Sequence, residues 1–152
     1  MAVSTDYVGR TVDLCILDTN SLPGIQSVAI GIYDSGKVIS GSFKTVQQFV
    51  KMLFTDEGSV PADPTYGTEF STLLFSGQIQ TNIILSMEFY AAAPKIMAYI
   101  RLNQTEDTPD DEILQKVILS SFTATAGALT LSISFEFVDS SVVLTPVSIP
   151  IG

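Results

Sequence analysis

The stretch LTLSISFEF, residues 129–137, alternates apolar and polar side chains over its whole length. Successive side chains of a β-strand point to opposite faces of a sheet, so this pattern places every apolar residue on one face. That face carries Leu129, Leu131, Ile133, Phe135 and Phe137, and the other carries Thr130, Ser132, Ser134 and Glu136. The stretch therefore predicts a strand that is buried on one side.

Two further apolar segments flank this strand. VILSSFTA, residues 117–124, precedes it across a turn at Ala126–Gly127, and VVLTPVSIPI, residues 142–151, follows it after a turn at residues 139–141. The short turns predict a three-stranded antiparallel meander. The alternation continues in the last strand at Val143, Val147, Ile149 and Ile151.

The last strand contains Pro146 and Pro150. A proline has no N–H to donate to a neighbouring strand, so we expect this strand at an edge of the sheet. An edge can accept a strand from a partner, but edge prolines also protect a sheet against unwanted pairing. Both interpretations of the last strand stay open on the sequence.

The pattern changes to a helical period at about Ser42. One face of this helix is apolar, and the other is predicted to be polar. The apolar face carries Val46, Phe49, Val50, Leu53 and Phe54, and the polar face carries Lys44, Gln47, Gln48 and Lys51. Gly58 is predicted to end the helix in the left-handed conformation that a C-cap requires.

Two more helices are predicted downstream. Thr68 is a suitable N-cap, with Glu69 in the first turn, for a short helix that stops at Ser76–Gly77. A longer helix starts at about Gln80, and Pro94 is predicted to kink or end it. Its predicted apolar face consists of Ile83, Ile84, Met87, Tyr90 and Ala91. The alternative is that the helix continues through MAYIRL, residues 97–102.

An acidic segment separates this helix from the sheet. Thr108 and Pro109 are predicted as the N-cap and first position of a short helix, whose first turn holds Asp110, Asp111 and Glu112. The EF-hand spacing is missing, so we expect no metal site in this segment.

Residues 1–42 are predicted to form a β-rich arm or extension ahead of a domain at residues 43–152. VDLCILD, residues 12–18, and SVAIGIY, residues 27–33, are the two apolar segments of this arm. We expect the arm to pair with a neighbouring subunit or to fold back on the core sheet. The whole chain is predicted to be α+β, with two main helices packed on the C-terminal three-stranded antiparallel sheet.

The composition excludes several functions. A formal charge of −9, from 16 acids and 7 bases, argues against nucleic acid as a partner. No signal peptide is visible, and polar residues interrupt the apolar segment 79–100, so no membrane partner is expected. The chain has no histidine, which removes Ser-His-Asp triads and histidine metal sites, and Cys15 is expected to be a small core residue. Charged residues are only 15% of the chain, which suggests that partners cover much of its surface.

An enzyme would have to use carboxylates. Asp56, Glu57, Asp63, Glu69 and Glu88 could in principle supply the acid pair of a glycosidase. Asp63 precedes a proline at a turn and Glu69 starts a helix, however, so each has a structural explanation. Asp56 and Glu57 follow the first helix, where its dipole disfavours acids; they would fray its last turn or await a basic partner. We expect no catalysis and no cofactor.

The loop between the first two helices reads FTDEGSVPADPTYGTEF, residues 54–70. It matches the pattern GS-x-P-x-DP-x-[YF]-G, and with the flanking helices and sheet it resembles the sheath initiator family of phage baseplate wedge proteins. That family is historically labelled lysozyme-like and is shared with type VI secretion baseplates. The matching positions are Gly58, Ser59, Pro61, Asp63, Pro64, Tyr66 and Gly67. The resemblance covers about residues 43–150, and the loop is interpreted as a rigid joint rather than an active site.

The resemblance also implies binding sites. The family's Glu-Pro-Arg-Ile motif, implied to dock on the core bundle of the wedge, is matched only by Ala93-Pro94-Lys95-Ile96, so Pro94, Lys95 and Ile96 are the docking candidates. Its sheet is implied to accept β-strands from arms of the first sheath subunits. The candidates for this edge are Val143, Thr145, Val147 and Ile149.

The expected function is therefore that of a structural baseplate protein in a contractile phage tail, which joins the wedge to the first sheath ring and templates sheath assembly. Its expected partners are wedge proteins and the tail sheath protein, with tube or hub proteins as further candidates, in several copies around the tail axis. Its expected location is the virion tail baseplate, after assembly in the host cytoplasm. The alternatives are a muramidase-like cell-wall hydrolase and a type VI secretion baseplate component.

Overall fold

The structure is a computed structural model that describes residues 13–14, 38–125 and 127–150. Within it, β1 (Asp13–Leu14) pairs antiparallel with β2 (Val38–Ile39). Strand β1 lies within the first predicted arm segment, whereas β2 follows the second one. The second segment, residues 27–33, lies outside the described residues, and so do Cys15 and Ile151. The chain forms two compact units, one of residues 1–47 with 106–152 and the other of residues 48–105. The predicted boundary between residues 42 and 43 stays a prediction.

Helix α1 runs over Ser42–Leu53 and follows Gly41, whose φ is 69°. The predicted apolar face is confirmed at Val46, Phe49, Val50 and Leu53, which are all buried. Its fifth residue, Phe54, lies just beyond the end of the helix and is half-buried. The predicted polar face is wrong at Lys44 and Gln47, which are buried as well. The helical period alone cannot identify a buried lysine, because the partner that makes its burial favourable lies elsewhere in the chain.

Helix α2 (Phe70–Phe75) is short, and Gly77 ends it with a φ of 75°, as predicted. Its N-cap position is Glu69, one residue later than predicted. Thr68 nevertheless acts as a cap, because its Oγ1 accepts a hydrogen bond from the Phe70 N–H at 3.3 Å.

Helix α3 (Asn82–Leu102) continues through Pro94, so the prediction that this proline ends it is wrong and the alternative is confirmed. Pro94 is exposed, and solvent can bond a carbonyl that loses its partner there. The predicted apolar face is the exposed one: Ile83 is 73% exposed, Met87 64% and Tyr90 46%. The helix is apolar on nearly all sides, and it buries instead Leu85, Phe89, Ala92, Ala93, Ile96 and Ile100.

The core of the unit of residues 48–105 is aromatic. Phe89 packs against Phe49 and Phe70, with ring centroids 6.3 Å away in both cases. Phe54 meets Phe70 edge-on at 5.9 Å. These contacts fasten the end of α1, the start of α2 and the middle of α3 to one another, and such pairs add about 0.5–1.5 kcal/mol each beyond the area they bury.

The predicted antiparallel sheet is confirmed, with the strand order β3 (Leu114–Thr125), β4 (Ala128–Phe137) and β5 (Val142–Pro150). The alternation of β4 is confirmed too, since the five predicted apolar side chains from Leu129 to Phe137 are at most 6% exposed. The described fold thus has the α+β class and the two main helices that the sequence predicts. Before β3, the acidic segment forms a 3-10 turn at Asp110–Glu112, with Pro109 rather than Thr108 at its N-cap.

Candidate functional site

The loop that carries the family pattern closes on itself through its last glycine. Gly67 has a φ of 103°, and a Cβ on it would lie 2.5 Å from the carbonyl oxygen of Thr55. The Thr68 N–H donates to that same carbonyl at 2.9 Å, and the Glu57 N–H donates to the Thr68 carbonyl at 3.2 Å. Only glycine allows the two ends of the loop to approach this closely.

Gly58 has the predicted left-handed conformation, with a φ of 79°, but it does not lie at the end of a helix. Helix α1 ends at Leu53, so Gly58 is not its C-cap. It belongs to a turn in which the Ser59 N–H donates to the Asp56 carbonyl at 3.1 Å and the Ser59 Oγ donates to it at 2.6 Å. A positive φ at this position is what a type II turn requires.

Asp63 organises the tip of the loop. Its carboxylate accepts hydrogen bonds from the backbone N–H and the hydroxyl of Thr65, at 3.1 and 2.7 Å, and from the Tyr99 hydroxyl at 2.7 Å. The bond from the Thr65 hydroxyl, and then that from Tyr99, lower the pKa of Asp63. The same bond to Asp63 raises the pKa of Tyr99. With Tyr66 edge-on to Tyr99 at 5.3 Å, the tip is fixed to helix α3.

Helix α1 ends at Leu53, before the two acids, and both acids have partners inside the chain, of which that of Glu57 is basic. Asp56 accepts hydrogen bonds from the hydroxyls of Ser71 and, at 2.8 Å, Thr72. These bonds, led by the one from Ser71, lower the pKa of Asp56. Glu57 forms an ion pair with Lys95 at 2.8 Å. The loop therefore supplies an acid to the first turn of α2 and another to the middle of α3.

A cavity of about 170 Å³, here called the acidic pocket, lies between the loop, α2 and α3. It collects Glu57, Glu69 and Glu88 from the five carboxylates considered for hydrolysis, whereas Asp56 and Asp63 do not line it. Its remaining lining residues are Thr68, Phe70, Ala91, Ala92 and Lys95. Ligand sites for small molecules usually enclose about 300–1,000 Å³, so this pocket is small for a sugar chain.

The three candidates for wedge docking differ in their surroundings. Pro94 is exposed, Lys95 is half-buried and paired with Glu57, and Ile96 is fully buried. Only Pro94 and part of Lys95 therefore face solvent. Ala93 carries no carboxylate, and Lys95 pairs with Glu57 of the loop.

The pairing of β5 with β4 shows which way its backbone groups point. Pro146 lies opposite Ser132 and Pro150 opposite Ala128, in a register that continues without a shift. Because a proline has no N–H, these are non-hydrogen-bonded pairs of the antiparallel ladder, and the pairs between them are hydrogen-bonded. The hydrogen-bonded pairs include all four predicted edge residues, Val143, Thr145, Val147 and Ile149.

Those four residues therefore direct their N–H and C=O groups towards β4. Three of their side chains are buried, those of Thr145, Val147 and Ile149. Their role in sheath binding stays a prediction. The backbone groups at the outer edge of β5 belong to the alternate residues, namely Val142, Leu144, Pro146, Ser148 and Pro150.

A buried ion pair between α1 and the 3-10 turn was not predicted from the sequence. Lys44 Nζ lies 2.6 Å from Glu112 Oε2, and both side chains are less than 10% exposed. Glu112 also accepts hydrogen bonds from the Gly41 N–H at 3.0 Å and, through its carbonyl, from the Thr45 hydroxyl at 2.9 Å. The sequence gives only a weak signal for this ion pair. Lys44 fits the predicted polar face of α1 and differs from its other residues only in lying close to the start of the helix.

Helix α3 is long and apolar enough to cross a membrane by length and composition. One such helix is weak evidence, because the core helix of a soluble protein passes the same test. Lys95 in the middle of the helix, paired with Glu57, would be costly in lipid. In the part of the chain that the structure describes, no group of three or more His, Cys, Asp or Glu residues is placed to hold a metal ion.

The comparisons with known proteins show only a distant structural likeness. No family model matches the sequence. No curated protein matches it either. One similar solved structure comes from Geobacter sulfurreducens and is described as a "putative tail lysozyme"; it is 14% identical, the match covers 77% of this chain and 97% of that one, and the TM-score is 0.42. A likeness of this size does not establish a function, which has to be inferred from the residues of the chain itself.

Proposed function

We propose that this chain is a structural baseplate protein of a contractile phage tail, without catalytic activity. The observation that carries the proposal is the loop at residues 54–70. Its seven pattern residues resemble those of the sheath initiator family. Five of them, Gly58, Ser59, Asp63, Tyr66 and Gly67, serve turns and anchoring contacts. Such contacts support a rigid joint rather than a reactive site.

In this function the loop and α3 hold the wedge-binding surface. Pro94 and the exposed part of Lys95 would meet the helical core of the wedge, with Glu57 keeping the lysine side chain in position at 2.8 Å. Lysine offers a point charge instead of the planar fork of arginine, so the contact would be less directional than in the family pattern.

The C-terminal sheet would then receive β-strands from arms of the first sheath subunits. An edge strand offers unpaired N–H and C=O groups, and an added strand satisfies them while its side chains meet those of the sheet. Several copies around the tail axis would in this way template the first sheath ring. Tube or hub proteins are further candidate partners, and the assembled virion tail is the proposed location.

The experiment is to delete the coding sequence and to image the resulting tails by electron microscopy. We expect baseplates and tubes without an ordered first sheath ring, and restoration of that ring by the full chain supplied in trans. A density map of intact particles should place this chain where the baseplate meets the sheath. Normal sheathed tails after the deletion, or particles that lack this chain at that junction, would reject the proposal.

A second candidate function is supported by the acidic pocket, because it gathers Glu57, Glu69 and Glu88. A muramidase-like hydrolase needs two carboxyl groups across a cleft. Purified chain on cell-wall substrate should then release soluble fragments, and Glu69→Gln or Glu88→Gln should abolish the release. The same yield as buffer alone would exclude this function. The small cavity and the ion pair of Glu57 with Lys95 make it the weaker candidate.

The third candidate, a type VI secretion baseplate component, is compatible with the same contacts in the loop and the sheet. Gene order separates it from a phage tail, since capsid and tail-fibre genes would accompany one, and effector and membrane-complex genes the other.

A further inference from the structure

We infer that the edge that receives a partner strand is the last part of β3, residues 122–125, and not β5. This inference depends on the proposed strand addition and assigns it to particular residues. It comes from the direction of backbone groups in the sheet and from the positions of the prolines.

The direction of the β3 backbone follows from that of β4. Ser132 and Thr130 form non-hydrogen-bonded pairs with β5, so their N–H and C=O groups point to β3, where they pair with Ser121 and Thr123. Two hydrogen bonds at the end of β4 follow the same alternation. The Phe137 N–H donates to the Ser141 carbonyl, on the side of β5, at 3.0 Å. The Val138 N–H donates to the Ile113 carbonyl, on the side of β3, also at 3.0 Å.

Phe122 and Ala124 alternate with the residues that bond β4. They lie opposite Leu131 and Leu129 in non-hydrogen-bonded pairs, so their N–H and C=O groups point away from β4. Among the described strands, β3 pairs with β4 alone. Residues 122 and 124 thus present two donors and two acceptors at the spacing that an added strand requires.

The outer edge of β5 lacks some of the N–H donors that an added strand needs. Two of its five outward positions are Pro146 and Pro150, which have no N–H. An added strand would leave two of its carbonyl groups without a donor there, and an unpaired buried carbonyl costs about 1–3 kcal/mol. No proline occurs among the 12 residues of β3.

Charge does not protect the end of β3 either. Natural sheets protect their edges with charged side chains, prolines or bulges. No charged residue occurs from position 117 to position 135, so the end of β3 and its turn into β4 are uncharged. The register shift between Leu119 and Ser121 precedes Phe122, and from Ser121 to Thr125 the pairing is regular. Within the residues that the structure describes, the last part of β3 is therefore an unprotected edge.

The occupant we assign to this edge is an uncharged, extended segment of a partner protein, and under the proposed function it is an arm of a sheath subunit. Alternate side chains of such a strand would cover the half-buried Phe122 and lie beside the exposed hydroxyl groups of Ser121 and Thr123. Pairing of two copies through the same edge is disfavoured, because each copy carries a formal charge of −9.

The test uses two matched proline variants of the full chain. Ala124→Pro removes one outward N–H of β3 and leaves the bonds to β4 in place, at an exposed position. Ser148→Pro removes one outward N–H of β5, together with the hydroxyl that lies 3.2 Å from that of Thr130. Binding to the sheath protein encoded in the same tail gene cluster would be measured by co-sedimentation with assembled sheath. We expect Ala124→Pro to weaken binding about tenfold and Ser148→Pro to leave it unchanged.

A photo-crosslinking residue at position 124 or 148 of the otherwise unchanged chain makes the test independent of how the prolines affect folding. Crosslinks to the sheath protein from position 124 and not from 148 support the inference. Crosslinks from 148 and not from 124 overturn the choice of edge but leave the proposed function intact. Crosslinks between two copies of this chain overturn the assigned partner. No crosslink from either position, with normal sheath assembly by both proline variants, overturns strand addition itself.

Discussion

Glu112 completes the N-terminus of helix α1 from a position 71 residues beyond Gly41. One of its carboxylate oxygens accepts the Gly41 N–H at 3.0 Å, and the other pairs with Lys44 at 2.6 Å. In a capping box, a glutamate at the third position of the helix bonds the N–H of the N-cap residue. Here Lys44 holds that third position and binds the carboxylate that carries out this role. The negative charge also lies where the helix dipole favours it.

We predict that Glu112→Gln lowers the free energy of unfolding by about 3 kcal/mol, because it removes the carboxylate charge that lies 2.6 Å from the buried ammonium group of Lys44. Thermal or urea unfolding followed by circular dichroism measures this. Glu106→Gln is the matched control, since Glu106 is exposed and loses the same charge, and it should change stability by less than about 0.5 kcal/mol. The double variant Lys44→Met with Glu112→Gln should recover part of the loss. Equal effects of Glu112→Gln and Glu106→Gln would contradict the buried pair.

Gly67→Ala should destabilise the chain by about 2–4 kcal/mol, because it introduces a steric clash at a strained backbone position. The added methyl group would lie 2.5 Å from the Thr55 carbonyl oxygen, and that carbonyl already accepts the Thr68 N–H. Gly77→Ala is the control, because Gly77 also has a positive φ but no atom lies within 4 Å of its added methyl group. It should cost only about 1–2 kcal/mol. Similar losses for the two variants, measured by urea unfolding, would show that conformation alone, and not the closure of the loop, requires Gly67.

The elements that could be predicted from the sequence are those whose signal is local. The alternation of β4 is complete because one of its faces is buried and the other is not. The prolines of β5 predicted an edge strand because they have no N–H to donate, and in the structure β5 is at an edge of the sheet. Helix α3 shows the limit of such signals. It is apolar on several sides, so its period could not separate the buried Phe89 from the exposed Met87.

What could not be predicted depends on contacts between distant residues. Lys44 and Glu112 are 68 positions apart, and each alone has the pattern of a surface residue. The same holds for Asp63 and Tyr99, and for Glu57 and Lys95, where only the fold brings the partners together. The acidic pocket is likewise a product of the fold, since no spacing in the sequence indicates that Glu57, Glu69 and Glu88 line one cavity.

Stability should fall as the pH is lowered below about 4, the ordinary pKa of an unfolded aspartate. Hydrogen bonds from the Thr65 hydroxyl and then from Tyr99 lower the pKa of Asp63 in the folded chain, so the folded state binds fewer protons than the unfolded state in this window. The stabilisation is present above the unfolded pKa and is lost as the pH falls through the folded pKa. The measurement is the melting temperature between about pH 7 and about pH 2.

Asp63→Asn should flatten this acid limb, because an amide does not titrate. Asp107→Asn is the matched control, since Asp107 is exposed, and it should leave the slope of the wild-type chain unchanged. An acid limb that stays equally steep in Asp63→Asn would mean that other carboxylates, such as Asp56, whose pKa is also lowered, account for the whole effect.

Lys95→Met should separate stability from binding. The ammonium group and Glu57 lie 2.8 Å apart, but their side chains are 37% and 46% exposed, and such partly solvated pairs contribute about 0.2–1 kcal/mol. We therefore expect a melting temperature within about 3 °C of the wild-type value, because about 1 kcal/mol shifts the melting temperature of a domain of this size by about 2–4 °C.

If Lys95 contacts the wedge as proposed, its binding to purified wedge proteins, measured by calorimetry, should weaken by about tenfold or more. The reason is that truncation of a charged interface group commonly costs over about 1.4 kcal/mol. Lys116→Met, which removes an exposed lysine from the unit that contains the sheet, should bind the wedge as the wild-type chain does. Unchanged binding by Lys95→Met would remove Lys95 from the docking surface and leave Pro94 as its remaining candidate.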